Sequence, residues 1–335
     1  MVGSEAGVIP ADPLGGWIPL YVSARSGRYC VDWAYMGAER FTEPFCFDTL
    51  QRLAVRPFNR LFRQQSDLTV LRERACSHPG LPMQGMVFHM SRCGSTLAAQ
   101  WLAALPDSVV LSEPEPVDAV LQWPASEHGD TGTLRALLCA LGQPRREGDR
   151  SLFLKTDCWH MVHFARLLEA FPGVPWVFLY RNPVEVLASH QEVPGWQLVP
   201  GSMKGHGLQA PEEVMNNPLG HGAWIMSVIL EEARLAMSRH ANGLLVNYSE
   251  LPQALETRIA AHFGIARDVL DGEELQAVTG RHAKQPNAAF RPDAAQRRAN
   301  ADKEVLSLAE YWLDTPYRRL EEMRLGAGGY QTMRS

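Results

Sequence analysis

A chain of 335 residues, 46% of them hydrophobic and 9% aromatic, has the apolar surface for one large α/β domain or two modest ones, which excludes a disordered protein. Its formal net charge of −5 argues against a general nucleic-acid binder, whose affinity rests on a basic surface, while a local basic pocket for one anionic ligand stays open. The absence of a membrane-length apolar run and of a basic-then-apolar leader makes a cytoplasmic protein without membrane contact the expectation.

Residues 1–82 read as an appended amino-terminal region that packs on a main α/β domain of residues 83–335. Gly and Pro punctuate Pro10 to Gly16, and strand-like runs follow at Trp17–Val22 and Cys30–Ala34. Apolar residues recur at helical spacing from Phe41 to Phe62, with Thr42 a candidate cap. A Pro/Gly-rich break at His78–Pro82 precedes the main domain, and nothing in this front region names a chemistry. The six cysteines, Cys30, Cys46, Cys76, Cys93, Cys139 and Cys158, have no Cys-x-x-Cys spacing, which fits free thiols in a reducing compartment.

From Met86 the rhythm changes to short apolar runs alternating with longer amphipathic ones, the pattern of βαβ units. The expected fold is a three-layer α/β domain, a central and mostly parallel sheet flanked by helices, P-loop-like, with the front region appended. Strands are expected at Met86–Met90, Val109–Leu111, Leu152–Leu154, Trp176–Tyr180 and Leu244–Asn247. Helices are expected at Ser95–Leu105, Thr131–Leu141, Trp159–Phe171, Pro183–His190, Pro218–His240, Ser249–Phe263 and Lys303–Leu313. The Gly/Pro-rich stretch from Pro194 to Pro218 lacks periodicity and reads as a lid or substrate loop. A second irregular stretch, Gly280 to Pro292, carries Arg281, Lys284 and Arg291.

Ligands of open α/β sheets bind beyond the carboxyl ends of the strands, so the residues after each strand are the ones to read. They are Ser91–Thr96, then Ser112-Glu113-Pro114-Glu115-Pro116, Lys155-Thr156-Asp157 and Arg181-Asn182-Pro183. Strand, tight loop and helix around Arg92-Cys93-Gly94-Ser95-Thr96 aim backbone N–H groups and a positive helix end at one spot that attracts phosphate. By itself Gly-Ser-Thr after a strand is an ordinary cap. Arg92 adds weight, because a guanidinium in a tight loop between buried elements calls for an anion. The loop lacks the Lys before Ser/Thr of a triphosphate-binding P-loop. Arg181, with Ser189 about two helical turns on, makes a second candidate anion site, although alone it is equally a strand-ending Arg at the surface.

Ser91-Arg92-Cys93-Gly94-Ser95-Thr96-Leu97 resembles the 5′-phosphosulfate loop of the sulfotransferase family, whose donor is 3′-phosphoadenylyl sulfate (PAPS). Leu179 to His190 is similar to that family's 3′-phosphate site, including the Arg-to-Ser spacing, and Leu244 to Leu251 resembles the strand and helix start that follow it. The resemblance spans roughly Met86 to Phe263. It departs from the cytosolic small-molecule members in having Arg92 where they usually have Lys, as tyrosyl-protein and some bacterial members do, and in lacking their Gly-rich carboxyl-terminal motif.

What the resemblance implies is a sulfotransferase acting on a small-molecule or peptide acceptor that the sequence does not name, releasing adenosine 3′,5′-bisphosphate (PAP), with no metal. Arg92 and Lys155 would neutralise the transferred sulfuryl group and the leaving phosphate. Cys93, Gly94, Ser95 and Thr96 would hold the 5′-phosphate, and Arg181 and Ser189 the 3′-phosphate, with Lys284 on a loop that closes over the nucleotide. Glu113 is the first candidate for the general base, with Glu115 and Asp157 as competitors. The rival readings are a P-loop kinase using a nucleoside triphosphate and a non-catalytic nucleotide-binding domain.

Overall fold

The structure, a computed structural model, describes residues 12–270, 272, 275, 277–278, 281–282, 285–289 and 294–331. The front of the chain forms an antiparallel three-stranded sheet of β1 (Trp17–Arg25), β2 (Arg28–Tyr35) and β3 (Gln64–Asp67). Between β2 and β3 lie the short helices α1 (Cys46–Ala54) and α2 (Pro57–Leu61). Thr42 does not cap α1, which starts only at Cys46. Pro44 disfavours the helical region for Glu43, and Phe45, extended at φ −134° and ψ 142°, takes the cap position instead. Helix α3 (Leu68–Ser77) follows, with the Asp67 carboxylate accepting from the N–H groups of Thr69 and Val70 at 2.9 and 3.2 Å.

The main sheet has five parallel strands in the order β5–β6–β4–β7–β8. These are β4 (Met83–His89), β5 (Ser108–Ser112), β6 (Ser151–Lys155), β7 (Trp176–Tyr180) and β8 (Gly243–Asn247). Strand β7 matches its expected bounds, and four others differ at their ends. Pairing Ser108 with Ser151 and Ser112 with Lys155 keeps polar residues in the ladder that an apolar-run criterion leaves out.

Helices α4 (Ser95–Ala103), α5 (Glu115–Leu121), α6 (Thr131–Leu141), α7 (Phe164–Ala170), α8 (Pro183–Glu192), α9 (Glu212–Met215) and α10 (Pro218–Arg239) fill the crossovers. Asp130 fixes the start of α6 by accepting from Thr133 N–H at 2.6 Å. The expected helix over Trp159–Phe171 opens as a tight 3-10 turn, Cys158–His163, before α7. The expected helix over Ser249–Phe263 is interrupted at Pro252, which lacks the N–H a helix needs, and resumes as Leu255–Ile259 and Ala260–His262. The last one runs past Leu313 into a helix spanning Asp314–Gln331.

The connection after β4 leaves towards β5, and the one after β6 leaves towards β7. They diverge, so a crevice opens beyond the carboxyl ends of β4 and β6, the usual ligand position in such sheets. The buried apolar core is continuous from Ile18 of β1 to Leu320. Residues 40–46 are laid along β5, where Arg40 donates to Ser108 O at 2.7 Å and Ser112 Oγ donates to Pro44 O at 2.8 Å. This contact brings the front region to the rim of the crevice. All six cysteines are free thiols, and no described helix is long and apolar enough to cross a membrane.

Candidate active site

The loop after β4 is held in a conformation that side chains resist. Ser91, Arg92 and Gly94 have φ of +86°, +52° and +83°, in the left-handed region where a non-glycine residue is strained. Buried contacts enforce it. His89 Nδ1 accepts from Ser91 N–H at 3.1 Å while its Nε2–H donates to Thr156 O at 2.9 Å, so the partners assign the neutral Nε2–H tautomer. Burial first, and then the Lys155 ammonium, pulls His89 down to a pKa of about 4. The Cys93 thiol donates to Leu179 O at 3.1 Å, and burial pushes its pKa up to about 11, which makes it a packed thiol and no nucleophile. Gly94 then caps α4, whose first-turn residues Ser95 and Thr96 line the crevice.

Glu113 and Lys155 form an ion pair at the ends of neighbouring strands β5 and β6. Lys155 is 1% exposed, and the pair is framed by His89 Nε2 at 3.5 Å from Glu113 Oε1 and by the Phe45 ring, 5.1 Å from Lys155 Nζ. Glu113 has φ of +52°, a strained turn that directs its carboxylate inward while its N–H continues the ladder to Lys155 O at 2.8 Å. Burial alone would raise its pKa. The Lys155 charge and the His89 contact outweigh that and hold it at about 2. Asp157 goes the other way, raised well above its ordinary value by burial and by the carboxylates of Glu113 and Asp118.

Arg181, at the end of β7, is buried and donates from Nε to Glu185 at 2.7 Å, one turn into α8. Its guanidinium lies 4.0 Å from the centre of the Tyr248 ring and donates to Arg92 O at 3.4 Å, tying the two loops together. Asn182 caps α8 by accepting from Val184 N–H at 3.0 Å, with Pro183 at its first position. Ser189 is buried on the same helix and faces the cleft.

Arg92, Cys93, Gly94, Ser95, Thr96, Glu113, Lys155, Asp157, Arg181 and Ser189 thus line one cleft of about 370 Å³. Arg92 reaches across its mouth to donate to Val193 O at 2.7 Å. Glu115 does not join them. It sits exposed on the first turn of α5, past the backbone turn at Glu113. Lys284 and Arg291 lie outside the described residues.

Several cleft residues carry no strand-end signal in the sequence. Arg297 lines the cleft from helix Ala294–Ala299 and pairs with Glu192 at 2.9 Å, while Arg298 reaches Glu185 at 3.1 Å. Phe45, Trp159 and the largely exposed Trp196 give the wall of the cleft its aromatic part. Behind it, Asp118, Asp157 and His160 bring ligand-type atoms within 4.8 Å of one another, and hydrogen bonds occupy Asp118 Oδ1.

No protein-family model and no curated protein matches the chain. Solved structures similar to it include the sulfotransferase STF9 from Mycobacterium avium, at 15% identity and a TM-score of 0.44, covering 79% of this chain and 82% of that one. The sulfotransferase domain from the curacin biosynthetic pathway matches at 15% identity and a TM-score of 0.41, over 69% of this chain and 97% of that one. Retinol dehydratase in complex with androsterone and the inactive cofactor PAP matches at 15% identity and a TM-score of 0.35, over 76% and 88%. Likenesses this distant add no weight of their own, and the functional reading rests on the residues of the cleft.

Proposed function

We propose that the chain is a sulfotransferase that moves a sulfuryl group from 3′-phosphoadenylyl sulfate to a hydroxyl or amine. The observation that carries this reading is the order of groups along the rim. Following the sheet from β5 to β7, the cleft presents Glu113, then Lys155, then the Arg92–Thr96 loop, then Arg181. A proton acceptor, a cation, a 5′-phosphate cradle and a second anion site stand in the sequence that the donor's own groups require. Neighbouring strands lie roughly 4.8 Å apart, so the row has molecular dimensions.

In the reaction so read, the acceptor oxygen or nitrogen attacks sulfur in line. A new bond to sulfur forms as the bond from sulfur to the bridging phosphate oxygen breaks, and adenosine 3′,5′-bisphosphate leaves with the electron pair. Lys155 and Arg92 neutralise the negative charge that grows on the bridging and equatorial oxygens. The acceptor proton passes to Glu113, the carboxylate kept ionised, and Lys155's turn towards the leaving phosphate raises Glu113's proton affinity. Arg297 completes the cationic end near Arg92 and Arg181. The aromatic wall of Phe45, Trp159 and Trp196 receives the acceptor.

Thermal denaturation tests the donor class. Adenosine 3′,5′-bisphosphate raises the Tm without added metal, and raises it more than ATP with Mg²⁺ does. Equal or greater stabilisation by ATP with Mg²⁺ would overturn the reading in favour of a kinase.

A further inference from the structure

Behind the aromatic wall, one carboxylate oxygen gathers three donors from distant parts of the chain. Asp118 Oδ1, on α5, accepts from Trp159 Nε1–H and from His160 Nε2–H, each at 2.7 Å, and His206 Nε2 approaches it to 3.2 Å. Trp159 and His160 belong to the 3-10 turn that follows Lys155. His206 belongs to the irregular 194–218 stretch, in the short turn Lys204–His206.

The hydrogen-bond partners fix the tautomers. His160 Nδ1 faces Asp157 N–H at 3.3 Å, so its proton is on Nε2, towards Asp118. With its own Nε2–H given to Asp118, His206 uses Nδ1 to accept from His163 Nε2–H at 3.0 Å. His160 and His206 are both buried, and a buried donor left without its acceptor is destabilising. Asp118 is therefore the common acceptor on which both rings depend.

The consequences reach the cleft by two routes. Trp159 is part of its wall, and Asp157, also a lining residue, caps the turn that His160 anchors. The 194–218 stretch supplies Gly195, Trp196 and Gln197 to the same cleft, and Gln197 Nε2 donates to Ser91 Oγ at 3.1 Å. His206 is the point at which this stretch is fastened to Asp118.

We propose that Asp118 is a positioning residue that sets the acceptor-side wall and latches residues 194–218 beside the cleft. The word acceptor rests on the sulfotransferase reading, whereas the latch does not. Asp118 touches no reacting atom and acts through Trp159, His160 and His206.

Lys204 makes the latch measurable, because it is exposed, lies two residues before His206, and is the one Lys or Arg between Arg181 and Arg234. Trypsin acting on the full chain at pH 8 reads opening of the latch as a new amino terminus at Gly205. Cleavage follows the population of the open form when reclosing is fast. We expect Asp118→Leu and His206→Ala to raise the cleavage rate about tenfold or more, with Asp118→Asn, which keeps one carbonyl acceptor, recovering much of the protection. Nitrogen-15 spectra of the histidine rings give a second readout, in which the Nε2–H signature of His160 and His206 persists in the wild type and is lost in Asp118→Leu. His206→Ala keeps the proposal testable if Asp118→Leu does not fold. Unchanged cleavage in His206→Ala, or unchanged ring tautomers in a folded Asp118→Leu, would overturn the latch. A wild-type chain that fails to bind the bisphosphate would undo the donor reading and leave the cleavage result standing.

Discussion

Lys155 and Glu113 meet at the ends of adjacent parallel strands, one almost wholly buried and the other held inward by a strained left-handed backbone. A buried pair of this kind is a poor source of stability, because desolvation consumes most of the attraction. Its position in the middle of the cleft gives it another use. The Lys155 charge keeps the Glu113 carboxylate ionised, the form that the proposed proton acceptor requires.

Removing one partner leaves the other charge buried and alone. Lys155→Met is expected to lower the free energy of unfolding by about 3 kcal/mol, and the double variant Lys155→Met with Glu113→Gln to recover most of that loss. Urea denaturation measures both. Full additivity of the two single changes would show that the groups do not interact.

Glu113→Gln separates proton transfer from donor binding. Turnover of donor in the presence of an acceptor is expected to fall by about 100-fold or more, with the affinity for adenosine 3′,5′-bisphosphate unchanged. An unaltered rate would pass the role of base to Asp157, the other carboxylate lining the cleft, whose proton affinity burial and the neighbouring carboxylates raise.

Three histidines, two of them buried and His163 half-buried, tie stability to pH. Burial lowers His89 to about 4, His163 to about 3 and His160 in the same direction, so at moderately acid pH each binds its proton more readily in the unfolded chain. Their contribution is complete above the unfolded value of about 6.5 and is lost as pH falls from there towards the folded values. Tm is therefore expected to drop between pH 6.5 and 4, and His89→Gln to flatten the slope. A wild-type Tm that is level across this range would contradict the buried neutral state.

Gly94→Ala tests the loop geometry. The new Cβ would lie 2.5 Å from Leu251 Cδ1, a side-chain end that can give way, whereas the φ of +83° cannot be relieved without moving the loop. The strain is roughly 1–2 kcal/mol. A lower Tm and weaker bisphosphate binding should appear together, and wild-type binding would show that the loop does not need this backbone.

Much of this arrangement is legible in the sequence because parallel strands buried on both faces read as unbroken apolar runs. Trp176–Tyr180 is the clearest of them, and chemistry collects immediately after such runs. That rule locates Arg92, Glu113, Lys155, Asp157 and Arg181 together. It does not find His89, which ends a strand without disturbing its pattern, nor Glu115's exposed place past the turn at Glu113. Asp118 is harder still. Its partners lie 41 and 42 residues away at Trp159 and His160, and farther at His206, so only folding makes the group recognisable. Arg297 and Arg298 come from a short helix that follows the antiparallel pair Arg281–His282 and Gln285–Ala289 and no strand of the main sheet, and Phe45 comes from a front region whose composition names no chemistry.

The central claim is that one donor bridges the Arg92–Thr96 loop and Arg181. Titrating wild type and Arg181→Ala with adenosine 3′,5′-bisphosphate and with adenosine 5′-phosphosulfate, which lacks the 3′-phosphate, tests it most directly. The account predicts that Arg181→Ala weakens the bisphosphate about tenfold or more, the range of a lost charge-assisted hydrogen bond, and changes the 5′-phosphosulfate less than about threefold. Equal losses for the two ligands would contradict it and return Arg181 to a structural partner of Glu185.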